Sequence, residues 1–438
     1  MRSAIHDQAV ELLLDSMSQQ SDDYLLRSSF FFGKPGAPSW QKNGGTDVFY
    51  HAGKLVRAAL HVRKNGPPYL RYLPISAIWS MLQQFVIDHY WLLASEAFLR
   101  PFSGSYAGNI SPATKTSFAD ALAISEVFEP RNEVTLFPIV PLTVRAEFNS
   151  QPFFFASATT SSLQAHLPQC IVSSALAGET FPPLLDFEGR RERPSAWLGV
   201  RSPDFLASNK IKAAILGALA LTPQARYRHM FSGRPMFGGR CTIAEDGQTT
   251  VSFGEPHTPP LMHDIIIQEQ DAAWLGVLAS KLTTNEKVVT RQIKALEYFY
   301  RAWSLEPAER FPILCMALDA MFGETQQATQ SAIDGVRSVL PHVPEPRLRL
   351  LMDLRNSVLH GGAPDVYDSR KYAKYYDQFG EDPIHDLELL VGRCLRSKIF
   401  DDALNEHADP NADIIAQAQA TGRLPRNLFR RSILDPPD

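Results

Sequence analysis

The chain has 438 residues, 45% of them hydrophobic and 21% charged, with a formal net charge of −4. That length predicts two or three domains with sizeable cores, and the composition excludes a disordered or fibrous chain. The mild acidity excludes a surface that is basic throughout, so any nucleic-acid contact has to come from a local patch.

In chain order, HDQAVELLLDSM (residues 6–17) has helical spacing, and Arg2, Asp7, Glu11 and Asp15 interrupt what would otherwise be a signal-peptide core. FFGKPGAPS (31–39) and QKNGGTD (41–47) read as turns. LPISAIWSMLQQFVIDHYWLLASEAFL (73–99) predicts a long, largely buried helix. From about 133 the runs EVTLFPIVPLTVRAEF, PFFFASAT, AWLGVRS, GRCTIAE and TTVSFGE are short, β-branched or aromatic and bounded by Gly, Pro and Asn, which predicts strands. The longest apolar run, AAILGALAL (213–221), is too short to cross a bilayer.

From about 264 the periodicity becomes helical. NEKVVTRQIKALEYFYRAWSL places Val288, Ile293, Leu296, Phe299 and Trp303 on one stripe. PAERFPILCMALDAMFGE opens with Pro307 and stops at Gly323. SAIDGVRSVL, PRLRLLMDLRNSVLHGG and DPIHDLELLVGRCLRSKIFDDAL follow as helices. The expected fold class is therefore α+β. Residues 1–260 form a mixed region, divisible into a helical part (1–130) and a β-rich part (131–260). An all-α bundle spans 261–405, and 406–438 form a polar, loosely held tail.

Several chemistries lack their sequence signatures. There is no GxxxxGK[ST], no GxGxxG after a strand, no HExxH and no GxSxG. Cys170, Cys241, Cys315 and Cys394 are scattered without a CxxC, which argues against a zinc ribbon or a redox dithiol and suits a reducing cytoplasm. His257 and His263 have no obvious acidic or cysteine partner for a metal, so no metal and no cofactor are expected.

LRNSVLHGG (354–362) stands out. R-x4-H occurs twice in the chain, at Arg337–His342 and at Arg355–His360, and Pro341 breaks the helix in the first. In the second, the helix gains an apolar side from Leu348, Leu351, Met352, Leu354 and Leu359. Asn356 and His360 share a face, while Arg355 and His360 lie about 140° apart at helical pitch, within reach of a long side chain. Gly361 and Gly362 stop the helix, so His360 sits where the macrodipole favours an imidazolium. A guanidinium that grips two phosphate oxygens beside an imidazole that moves a proton suits a phosphodiester.

RNSVLH, together with the earlier helix RFPILCMALDAMFGE, resembles the HEPN family, most closely its Apea-like subgroup, over roughly residues 265–405. Arg355, Asn356 and His360 match the family's R-polar-x3-H motif, and Asp319 stands where the subgroup commonly has Glu. The resemblance implies a four- to five-helix bundle that dimerises around a composite active site. It also implies a metal-independent endoribonuclease in which the ribose 2′-OH attacks phosphorus, leaving a 2′,3′-cyclic phosphate. Arg355, Asn356 and His360 would be catalytic, with Asp319 holding Arg355. By analogy the setting is anti-phage defence or a toxin, the substrate RNA (a tRNA anticodon loop is one candidate), and residues 1–260 answer a phage or cellular trigger. The alternative is an inactive HEPN module that dimerises or docks a partner.

Two basic stretches bear on RNA. In YDSRKYAKYYDQFG (367–380), Arg370, Lys371 and Lys374 alternate with Tyr372 and other tyrosines, so the stretch reads either as phosphate and base contacts or as an amphipathic helix with its tyrosines packed. RYRHMFSGRPMFGGR (226–240) reads as a binding surface or, preferably, as the solvent side of a hairpin.

Overall fold

The computed structural model describes residues 2–20, 25–34, 44–98, 100–167, 173–177, 180–181, 192–324, 327–362, 365–424 and 432–436. Cys170 and most of the loop expected between 31 and 47 lie outside them. The architecture is α+β, as the sequence predicts. The chain divides into two compact units, 1–133 with 202–207, and 134–201 with 208–438. The texture change near 133 falls at this division, whereas the boundary expected near 260 lies inside the second unit.

The first unit contains α1 (Ala4–Ser16), β1 (Met17–Ser18), β2 (Leu25–Phe32), β3 (Gly44–His51), α2 (Ala52–Asn65), α3 (Ile75–Ala97), α4 (Tyr106–Asn109) and α5 (Pro112–Ala123). Ala9, Val10, Leu13 and Leu14 recur at helical spacing and are buried. In α3 the burial is one-sided, through Ile78, Leu82, Phe85, Val86 and Leu93. The three strands form an antiparallel sheet in the order β1-β3-β2. Phe31–Phe32 and Gly44–Asp47, expected as turn, belong to its strands. Phe32 packs edge-on against Tyr90 and Phe98, whereas Phe31 is exposed.

The second unit opens with β4 (Val134–Ile139), β5 (Leu142–Val144), β6 (Phe148–Asn149), β7 (Phe153–Ser157), α6 (Thr160–His166), β8 (Ala196–Arg201), α7 (Phe205–Leu219, in this unit from Ser208), β9 (Gly238–Ile243), β10 (Thr249–Gly254) and β11 (Ile265–Ile267). Six strands form an antiparallel sheet in the order β10-β9-β4-β8-β7-β6. Its central strands are apolar on both faces, which is why they read as continuous runs. Leu136, Phe154, Trp197 and Cys241 pack in one core cluster. β11 pairs in parallel with β5. An all-isoleucine triplet favours strand over helix, so the helical region begins later than 264.

The helices that follow are α8 (Ala272–Leu282), α9 (Lys287–Trp303), α10 (Pro307–Phe322), α11 (Ala328–Val339), α12 (Glu345–Leu359), α13 (Arg370–Phe379), α14 (Pro383–Phe400) and α15 (Ala412–Ala420). In α9 the stripe runs through Ile293, Leu296, Phe299 and Trp303, with Val289 buried in place of Val288, which is 65% exposed. α7 passes so close to α9 that a Cβ on Gly217 would lie 2.1 Å from the Leu296 carbonyl oxygen. α11 ends at Val339, ahead of Pro341.

Two buried ionic clusters tie the unit together. Arg228 donates to Glu388 of α14 at 2.8 Å, His229 Nε2 lies 2.9 Å from both Glu388 oxygens, and Arg310 of α10 reaches Glu388 at 3.3 Å. Arg347 of α12 and Tyr375 of α13 both bond to Asp386 of α14. The tail is anchored at its start: His407 bonds to Asp271 at 2.9 Å and Tyr227 to Asp409 at 2.8 Å. Composition alone hid this, because the anchors are polar.

Candidate active site

α12 carries the motif. Pro346 sits in its first turn, and Leu348, Leu351, Met352 and Leu354 are buried. Arg355 is one turn beyond Leu351 and so projects from the same apolar face; it is 9% exposed. A guanidinium there requires a counter-charge. Asp319 of α10 supplies it, accepting from Arg355 Nη2 at 2.5 Å. The pair is incompletely satisfied: Arg355 Nε and Asp319 Oδ1 are buried without a hydrogen-bond partner among the described residues. Leu359, expected on the apolar side, is exposed.

Asp319 lies in the last turn of α10, where the helix dipole disfavours a carboxylate. Arg291 of α9 relieves the same helix end, donating to the Ala320 carbonyl at 2.9 Å and the Asp319 carbonyl at 3.2 Å. Burial raises the Asp319 carboxyl above its ordinary range, and Arg355 offsets part of that rise.

His360 is the C-cap of α12, its backbone N–H bonded to the Asn356 carbonyl at 3.1 Å. Gly361 follows at φ +74°, a left-handed stop that a side chain would strain. The imidazole is exposed and Asn356 is half-buried. The structure thus brings Arg355 to Asp319 and leaves His360 at the surface, five residues past the buried guanidinium. The guanidinium is committed to Asp319 rather than swung toward the imidazole.

α13 begins beside this helix end. Ser369 caps it by accepting from Lys371 N at 3.3 Å, and its hydroxyl donates to Ser357 of α12 at 3.3 Å. Arg370 and Lys374 are exposed, while Lys371 and Tyr372 are half-buried. Tyr375 is core, held by Arg347 and Asp386; Tyr367 packs edge-on against Tyr372 with ring centroids 5.1 Å apart. The amphipathic reading holds for Tyr375, which is packed in the core, while Arg370 and Lys374 face solvent. The other arginine-rich stretch is used internally: Arg226 pairs with Asp409, Arg228 with Glu388, and Arg234 with Glu192 and Asp264. Only its end, from Gly238, enters a hairpin, β9–β10.

Among the described residues no group of three or more His, Cys, Asp or Glu is placed to hold a metal ion, and no helix is long and apolar enough to cross a membrane. Cys241, Cys315 and Cys394 are buried free thiols. Arg291, Arg310 and Glu388 escaped the sequence reading because partners this far apart in the chain leave no local spacing. No family model matches the chain, and no curated protein or solved structure matches it; the HEPN resemblance rests on the motif residues and their helical setting.

Proposed function

We propose that the chain is a HEPN-type, metal-independent endoribonuclease acting as a cytoplasmic homodimer. What supports this is an exposed imidazole at the C-cap of α12 with a guanidinium five residues earlier on the same helix. In this reading His360 takes the proton from a ribose 2′-OH. The 2′-oxygen attacks phosphorus, the P–O5′ bond breaks, and the leaving oxygen is protonated, giving a 2′,3′-cyclic phosphate and a 5′-OH. Arg355 steadies the charge on phosphorus after exchanging Asp319 for a phosphate oxygen. Asn356 orients the phosphate, and Arg370, Lys371, Lys374 and Tyr372 carry the flanking RNA. The defence or toxin role, and a phage or cellular trigger acting through the N-terminal region, follow from the family resemblance.

A second reading has its own observation. Arg355 is buried and already paired with Asp319, which suits a structural role in an inactive interaction module. Incubating wild type, Arg355→Ala and His360→Ala with total RNA in EDTA separates the two. Cyclic-phosphate ends from wild type alone support the nuclease; identical RNA profiles from all three favour the module. Toxicity on overexpression that either substitution relieves points the same way as cleavage.

A further inference from the structure

A cavity of about 240 Å³ lies within the second unit, walled by Pro223, Gln224 and Tyr227, by Leu261, 263–266 and Gln268, and by 407–410. Its walls are pinned by polar bonds. Asp271 accepts from His407 at 2.9 Å, from the Trp274 indole at 2.8 Å and from the Gln268 backbone at 2.8 Å. Asp409 accepts from the Tyr227 hydroxyl and the Asn411 N–H, at 2.8 and 2.7 Å. Against this fixed frame, two lining side chains have no hydrogen-bond partner among the described residues: the Gln224 amide and the His263 imidazole. The His263 and Tyr227 rings meet at 86° with centroids 5.5 Å apart, which makes a square corner.

We infer that this cavity binds an unphosphorylated nucleobase or nucleoside. The volume falls below the roughly 300–1,000 Å³ of drug-sized sites, so the ligand is compact. A right-angled pair of rings offers a planar heterocycle a face on one side and an edge on the other. A free glutamine amide presents a donor beside an acceptor, the pattern that matches an adenine edge. Asp264 and Asp409 line the site with their charges already paired to Arg234 and Arg226, and among the described residues no lysine or arginine is itself a lining residue, so the lining offers a phosphate no cation of its own. The inference is independent of the nuclease reading.

Calorimetric titration of the full chain with adenine, adenosine, guanosine, cytidine and uridine, each compared with adenosine 5′-monophosphate, tests it. At least one base or nucleoside should bind, and the monophosphate should bind more weakly. Gln224→Leu should weaken binding by about tenfold, the loss of one good hydrogen bond, and His263→Leu should weaken it as well. Neither side chain is hydrogen-bonded to another described residue, so Gln224→Leu should keep the wild-type melting temperature, and His263→Leu, which loses only the ring contact with Tyr227, should stay folded. Binding of none of the panel, preference for the monophosphate, or affinity unchanged in both folded variants would overturn the proposal.

Discussion

Arg355 Nη2 donates to Asp319 Oδ2 at 2.5 Å, yet Arg355 Nε and Asp319 Oδ1 are each buried without a hydrogen-bond partner among the described residues. A Glu at this position would reach one methylene further, toward the two-pronged contact that a guanidinium favours. Asp319→Glu should therefore be tolerated. Asp319→Ala should lower unfolding stability by about 1–3 kcal/mol, because a buried guanidinium loses its counter-charge. Urea unfolding midpoints distinguish the two.

Glu388 is the centre of the larger ionic cluster. Burial alone would raise its carboxyl, but the His229 hydrogen bond and the charges of Arg228, His229 and Arg310 outweigh it and hold it down to about 2, against an ordinary 4.5. A depressed carboxyl contributes stability that is present above the ordinary value and is lost as pH falls through the folded one. Stability should therefore drop between about pH 4.5 and 2. Glu388→Gln should flatten that limb and cost about 3–5 kcal/mol at neutral pH. Circular dichroism melts across pH read both effects.

Lys212 of α7 donates to His257 Nδ1 at 3.1 Å, and His257 Nε2 donates to the Gly239 carbonyl. Burial, then the Lys212 charge, lowers the imidazole to about 3; burial, then Arg240, lowers the amine to about 8. In both cases the unfolded chain holds its proton to higher pH. Stability should rise with pH from about 3 to 6.5 through His257, and again from about 8 to 10.5 through Lys212. Lys212→Met should abolish the alkaline rise and shrink the acid one, since burial remains but the neighbouring charge no longer lowers the imidazole.

Gly217→Ala should destabilise the second unit by about 1–3 kcal/mol, since its methyl would overlap the Leu296 carbonyl and force α7 and α9 apart. A lowered midpoint with an unchanged denaturant slope is the expected signature.

Under the nuclease reading, Arg370→Ala and Lys374→Ala should weaken binding of single-stranded RNA without changing the cleavage products. Each should reduce the slope of log affinity against log salt by about 0.7. Affinities measured at several salt concentrations with the catalytically dead His360→Ala protein would show it.

Much of the fold was legible because burial leaves a period. The stop at Gly361, the helix end at Val339 and the strand runs of β8 and β10 follow from local chemistry. The hairpin of β2 and β3 was obscured by the turn residues beside it, and Ile265–Ile267 by its position next to helices. At the site, the spacing of Arg355 and His360 located the helix end and its cap, but not the depth of the guanidinium. That depth depends on which face α10 covers, a tertiary matter no local window contains. Glu388 was invisible for the same reason: Arg228, 160 positions earlier, completes it.

Because Arg228 and His229 come from the turn after α7, a chain started at residue 261 would keep Glu388 sealed among the helices with only Arg310 beside it. The helical part is therefore no detachable cassette. Its fold borrows cations from the sheet-bearing half, so a recombination event that grafted these helices onto another sensor would have to carry that turn along.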